Sequence, residues 1–150
     1  MAIRQLAHYR DERFRKKSKP VKEFDEKLWE LLGDMGDTLA RAGGLGCAAV
    51  HVGVLKRVVL VLYEGRRYEL VNPTIAPVGG ETQLGVEGSI APGAPRGYVE
   101  RPQAVTVEAF DRHGNPLSIR ADGLLAAIFC HEIEHLDGTM YSDRFCQVHE

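Results

Sequence analysis

The amino-acid sequence predicts a single α+β domain, in which several antiparallel strands lie between an N-terminal helix and a C-terminal helix. Apolar residues recur at helical spacing between Phe24 and Leu39, and again in the segment that follows Asp122. Between these segments lie short β-branched and apolar runs separated by turns, which is typical of antiparallel strands. A chain of 150 residues is long enough for one hydrophobic core. We therefore expect one domain over residues 1–150, with no internal boundary.

The first predicted helix follows Pro20 and is amphipathic. Its apolar side chains are Phe24, Leu28, Leu31, Leu32, Met35 and Leu39. Gly33 and Gly36 lower its helix propensity, so we expect a distortion there. The pair Gly43-Gly44 predicts its end.

The first two predicted strands form a hairpin. Val58 to Tyr63 is one β-branched run and Tyr68 to Val71 is a second, with a turn at residues 64–67. Because proline cannot donate a hydrogen bond to a sheet, we expect Asn72-Pro73 to interrupt the second strand.

A second group of segments completes the predicted sheet region. Residues 84–90 end in Glu87-Gly88-Ser89-Ile90, and the glycine- and proline-rich residues 91–97 predict an irregular loop. Val105 to Phe110 alternates as a strand does, and Leu117 to Arg120 is its short partner.

The C-terminal helix carries the motif His131-Glu132-Ile133-Glu134-His135. A helix advances about 100° per residue, so two histidines four residues apart lie on one face and can bind one cation. Glu132 then lies beside that cation, where a carboxylate can act as general base on a water molecule. The motif therefore predicts a hydrolytic metal site with His131 and His135 as ligands.

The surroundings of this motif predict a buried site. Leu124 and Ile128 continue the face of the two histidines, so that face should lie against the core. Asp122 is the expected N-cap and Gly138 the expected stop. The alternative interpretation is a pair of satisfied core histidines with an exposed carboxylate at Glu132.

Composition and charge exclude several functional classes. The formal net charge is −2, and acidic residues flank the basic run between Arg13 and Lys19, so we expect no nucleic-acid partner. No apolar run reaches the length of a membrane helix and the N-terminus lacks a secretory signal, so we expect a cytoplasmic protein without a membrane partner. Cys47, Cys130 and Cys146 form no C-x-x-C pair and are expected to be reduced thiols.

Three motifs, in order along the chain, resemble those of the peptide deformylase family. Residues 44–51 resemble its G-x-G-x-A-A-x-Q element, residues 87–91 its E-G-C-L-S element and residues 130–136 its Q-H-E-x-D-H-L element. The resemblance implies antiparallel sheets around a central metal-binding helix. It also implies one divalent metal ion, ferrous iron in the family with zinc, nickel or cobalt as alternatives. The implied reaction removes the formyl group from N-formylmethionyl peptides.

The chain departs from the family pattern at two positions close to the implied chemistry. The family's third metal ligand is a cysteine thiolate, and this chain has Ser89 in its place. A serine hydroxyl ionises poorly near neutral pH and binds transition metals less strongly than a thiolate, so we expect a lower metal affinity. The family's first element ends in a glutamine that helps to hold the formyl oxygen, and His51 stands there.

These departures leave alternatives for the third metal ligand. Ser89 can bind through its hydroxyl, or His51 can complete a set of three histidines, which would favour zinc. Cys47 and Cys130 are interpreted as packing residues, since Cys130 points about 100° away from the neighbouring His131 around the helix.

The family pattern also implies the substrate contacts. By this resemblance, the backbone N–H of Ile90 and the side chain of His51 stabilise the oxyanion. The backbone at Leu45, Gly46 and Gly88 lines the bound substrate.

The predicted function is that of a peptide deformylase-like metallo-amidohydrolase. Two alternatives stay open: a catalytically impaired deformylase-fold protein that binds a formylated or blocked peptide or a partner, and an amidohydrolase for another small formyl or acyl amide. We expect the protein to be a monomer.

Overall fold

The computed structural model of the chain describes residues 2–147. Its regular elements are α1 (Glu26–Ala42), β1 (Gly46–Ala48), β2 (Val58–Tyr63), β3 (Arg66–Pro77), β4 (Thr82–Glu87), β5 (Gly97–Pro102), β6 (Ala104–Phe110), β7 (Pro116–Asp122), α2 (Gly123–His135) and β8 (Phe145–Cys146). Short 3-10 helices span Glu12–Arg15, Ala49–Val52 and Tyr141–Arg144. No helix within residues 2–147 combines the length and the apolar character needed to cross a bilayer.

The strands form two antiparallel sheets around α2. One sheet has the order β1-β2-β3-β6-β7 and the other the order β4-β5-β8. The central helix contacts strands of both sheets. Its buried apolar side chains share one core with side chains of the five-stranded sheet. The predicted α+β class, with antiparallel sheets around a central helix, is confirmed.

The predicted interruption at Asn72-Pro73 was wrong. β3 continues through this pair to Pro77, with a register shift between Val71 and Thr74. Asn72 adopts a φ of 51°, which asparagine tolerates better than most residues. Its side-chain amide also forms two hydrogen bonds with the backbone of Val21, at 2.8 and 2.9 Å. A β-bulge therefore accommodates the proline without ending the strand.

The predicted distortion of α1 was also wrong, because the helix runs unbroken from Glu26 to Ala42. A Cβ atom at Gly36 would lie 2.4 Å from the guanidinium Nη1 of Arg67. The same guanidinium donates a 3.0 Å hydrogen bond to the Leu32 carbonyl. Gly36 therefore makes room for an arginine from β3. The predicted end of the helix is confirmed at Gly43, whose φ is 71°.

The ends of α2 agree only in part with those predicted from the sequence. Asp122 is the N-cap residue, but its side chain makes no capping hydrogen bond. The helix ends at His135, and Gly138 has a φ of 77° in the turn that follows. Leu124, the first residue of the predicted buried face, is 54% exposed, because it lines an open cleft.

Candidate active site

The central helix brings three titratable side chains into the interior. His131 and Glu132 are each 6% exposed and His135 is 1% exposed, so the predicted burial of the site is confirmed. The Nε2 atom of His131, both ring nitrogens of His135 and Oε1 of Glu132 have no hydrogen-bond partner within residues 2–147. Buried polar groups are normally paired, since an unpaired one costs free energy. This cluster therefore has the character of a ligand site.

The chemistry of the cluster fits a divalent cation. His51, Glu132 and His135 each offer one ligand atom, and these atoms lie within 4.8 Å of one another. His131 lies outside that group, but its Nε2 atom is 3.9 Å from Oε2 of Glu132 and its ring centroid is 5.0 Å from that of His135. Neutral imidazoles and carboxylates are the nitrogen and oxygen ligands that zinc and related metals take in proteins.

A buried ion-pair network orients the ring of His131. Its Nδ1 atom lies 2.9 Å from Oε1 of Glu87, at the end of β4. Arg101, on β5, donates two 2.9 Å hydrogen bonds to Glu87 and lies 2.8 Å from the Glu134 carboxylate. Burial acts to raise the pKa of Glu87, but the hydrogen bonds from Arg101 and His131 outweigh it and lower the pKa to about 2. Glu87 is therefore an anion that holds a proton on Nδ1 and leaves Nε2 facing the site.

Glu132 lies against the backbone of β1. A Cβ atom at Gly46 would lie 2.7 Å from both Cγ and Oε2 of Glu132, so only glycine leaves room for this carboxylate. Burial raises the pKa of Glu132 to about 7, against the opposing effect of the His131 charge. A carboxyl group that titrates near neutral pH can both accept and return a proton.

The two positions that depart from the family pattern contact each other. His51 Nε2 lies 3.2 Å from Oγ of Ser89, which also accepts a 3.1 Å hydrogen bond from the Ala91 N–H. His51 Nδ1 lies 3.0 Å from the backbone nitrogen and 3.2 Å from the backbone oxygen of Ala48. Burial lowers the pKa of His51 to about 3, so its imidazole is neutral.

The cysteines have surroundings typical of packing residues. Within residues 2–147, neither Cys47 nor Cys130 belongs to the group of clustered ligand atoms. Burial raises the pKa of the Cys47 thiol well above its usual value and that of Cys130 to about 11. Both thiols therefore stay protonated near neutral pH.

An open cleft of about 510 Å³ leads to Glu132 and His131. It lies between the start of β1, the loop after β4 and the outer face of α2. The lining includes Leu45, Gly46, Gly88, Ser89, Ile90 and Leu124. The Ile90 N–H donates to no protein group within residues 2–147. Of the predicted site residues, only His51 and His135 lie behind this lining.

Sequence reasoning missed three residues that support the site. Glu87 and Arg101 orient His131 as described above, and Tyr141 stacks on the His131 ring with centroids 4.6 Å apart and an interplanar angle of 21°. Glu87 had a signal, since it opens the second motif. The contacts of Arg101 and Tyr141 depend on how β5 and the 3-10 helix Tyr141–Arg144 pack on α2, so the sequence did not indicate them.

The comparison with protein families covers nearly the whole chain. Residues 3–150 match the model of the polypeptide deformylase family. The chain belongs to the polypeptide deformylase family. The resemblance inferred from the three motifs is thereby confirmed.

Individual deformylases are similar along most of their length. The peptide deformylase of Caldicellulosiruptor bescii is 49% identical over 144 residues, which cover 96% of this chain and 86% of that protein. The crystal structure of a Legionella pneumophila deformylase aligns with a TM-score of 0.91 at 38% identity, over 97% of this chain and 87% of that one. The Thermotoga maritima deformylase structure aligns with a TM-score of 0.93 at 27% identity, over 98% of this chain and 100% of that one.

Family membership decides the class of activity. This deformylase is an enzyme, a metal-dependent hydrolase whose reaction is deformylation, as the sequence predicted.

Proposed function

We propose that this deformylase hydrolyses N-formylmethionyl peptides in the cleft, with a divalent cation held by His131 and His135 and with Glu132 as the general base. The observation that supports this best is the set of buried, unpartnered ring nitrogens beside the Glu132 carboxylate. When bound, the cation would supply Lewis acidity toward the formyl carbonyl and the attacking water. Ferrous iron is the ion that the family implies, with zinc, cobalt and nickel as alternatives.

Glu132 moves the proton in the proposed reaction. Its carboxylate takes a proton from the water as the water oxygen bonds to the formyl carbon. It then returns that proton to the amide nitrogen as the carbon–nitrogen bond breaks. The products are formate and a peptide with a free amino terminus. The Ile90 N–H donates to no group in the described part of the chain and would stabilise the negative charge that develops on the formyl oxygen.

The cleft suits an extended peptide. β1 is an end strand of its sheet and, in the part of the chain that the structure describes, pairs only with β2. The backbone at Leu45 and Gly46 can therefore bind a substrate strand. Gly88 lines the other side. Leu45 and Leu124 are 45% and 54% exposed, and they offer apolar surface for the methionine side chain.

The alternative functions are less well supported by the geometry. A peptide-binding protein without turnover is suggested only by Ser89. Glu132 is 6% exposed and beside the histidine rings, which argues against an idle surface carboxylate. An open cleft with exposed apolar walls favours a peptide over a small amide. We expect the enzyme to act as a monomer in the cytoplasm, where formylated nascent peptides are made.

A formate-release assay tests the proposal. Purified protein is loaded anaerobically with iron, cobalt or zinc and incubated with formyl-Met-Ala-Ser or with formylmethionine alone. We expect metal-dependent formate release that is faster with the tripeptide. Stoichiometric metal binding without any release would support the binding protein, and faster release from formylmethionine would support a small-amide substrate.

A further inference from the structure

His51 is fixed inside the site by aromatic neighbours. Its ring centroid lies 4.7 Å from that of His135, with the planes at 80°, and 5.2 Å from that of Phe14. Phe14 also lies 5.4 Å from the His135 ring. His51 is 1% exposed, so its ring cannot leave this enclosure for solvent. One nitrogen of this fixed ring consequently stays with the ligand atoms of Glu132 and His135, all within 4.8 Å of one another.

The backbone of Ala48 can pair with His51 Nδ1 in either tautomer, because its N–H lies 3.0 Å and its carbonyl oxygen 3.2 Å from that nitrogen. In one tautomer, Nδ1 is protonated and donates to the Ala48 carbonyl, 3.2 Å away. A ligating histidine commonly donates its other ring N–H to a backbone carbonyl in this way. Nε2, 3.2 Å from Ser89 Oγ, then carries the lone pair that a cation would use.

An imidazole nitrogen is a better third ligand for the cation than a serine hydroxyl. Ser89 Oγ already accepts the Ala91 N–H, and a neutral hydroxyl is a weak ligand for zinc, cobalt or iron. An imidazole nitrogen is a common ligand for all three metals. Neither Cys47 nor Cys130 brings a thiolate to the group of clustered ligand atoms within residues 2–147.

We propose that His51 Nε2 is the third protein ligand of the cation, so that this deformylase binds its metal through three imidazoles and Ser89 is not a ligand. The inference rests on the metal site of the proposed function. It predicts a nitrogen site that retains zinc or cobalt without any thiolate. The exchange of the family's cysteine for Ser89 is then matched by the exchange of its glutamine for His51.

X-ray absorption of the zinc-loaded wild-type protein counts the imidazoles directly. We expect three imidazoles and no sulfur at the zinc, whereas two imidazoles would overturn the inference. This measurement needs no variant, so a folding defect cannot obscure it. If the wild-type protein binds no cation at all, both the proposed function and this inference fail. A zinc ion bound by only two imidazoles contradicts this inference alone.

Variants provide an independent test with cobalt as the probe. His51→Gln restores the family residue without a ligand nitrogen and should weaken cobalt binding at least about tenfold. Ser89→Ala should weaken it less than about threefold. The double variant His51→Gln/Ser89→Cys should gain a sulfur-to-cobalt charge-transfer band that the wild type lacks. Undiminished binding by His51→Gln, or loss of binding only in Ser89→Ala, would overturn the inference.

Discussion

The Nδ1 atom of His131 lies 2.9 Å from the carboxylate of Glu87, which Arg101 holds through two further hydrogen bonds. Glu87 ends β4 and Arg101 lies on β5, so the second sheet sets the orientation of a ring that belongs to the central helix. The three-stranded sheet therefore positions a side chain that we propose as a metal ligand.

Neutralising Glu87 tests this relationship. In Glu87→Gln, the amide no longer holds the Nδ1 proton as an anion does, so we expect metal affinity to fall about 10- to 100-fold. Competition with a chromophoric chelator measures the affinity. Glu81→Gln, at an exposed position, is the matched control and should bind metal as the wild type does. Equal affinities of the wild type and Glu87→Gln would contradict the assigned role.

Adding one methyl group at Gly46 should displace Glu132. The new Cβ would lie 2.7 Å from Oε2 of the carboxylate, so Gly46→Ala should lower the rate of deformylation about tenfold or more and leave metal binding intact. Gly80→Ala is the control, because a Cβ there meets nothing within 4 Å. Steady-state assays with metal content measured in parallel give the result. An unaffected rate in Gly46→Ala would show that the contact is unimportant.

Glu69 should make stability depend on pH in the acid range. Burial acts to raise its pKa, but hydrogen bonds from Arg112 and Arg67 outweigh this and lower the pKa below the usual 4.5. A carboxylate whose pKa is lower in the folded protein than in the unfolded chain stabilises the fold. The contribution of Glu69 is therefore fully present above pH 4.5 and is lost as the pH falls through its folded-state pKa.

Urea unfolding of Glu69→Gln at several pH values measures this contribution. The wild type should exceed the variant in free energy of unfolding by about 1 kcal/mol at pH 7, and the difference should shrink below pH 4.5. Glu30→Gln, at an exposed position on α1, should differ little from the wild type at any pH. A wild-type advantage that grows toward low pH would contradict the assigned ion pairs.

Local patterns in the sequence predicted the parts of the fold that depend on local spacing. The position of His131 and His135 on one buried helix face follows from helical periodicity alone. The α1 helix and the β2–β3 hairpin follow from apolar spacing and turn residues in the same way.

Features that depend on distant parts of the chain could not be predicted. β5 was missed because Gly97 and Pro102 bound a short segment that resembles a loop, and its strand character comes from pairing with β4. From the sequence alone, the Asn72-Pro73 pair predicts a strand end. The hydrogen bonds between Asn72 and Val21 that hold the strand together there are known only from the fold. The contact between His51 and Ser89, 38 positions apart, requires the complete fold.

The substitution Glu132→Gln tests the proposed general base most directly. The amide occupies the same space above Gly46 but cannot accept a proton from water. We predict that the variant folds, binds one cation as the wild type does and releases formate from formyl-Met-Ala-Ser at least about a hundredfold more slowly. Release at the wild-type rate by the metal-loaded variant would contradict the account.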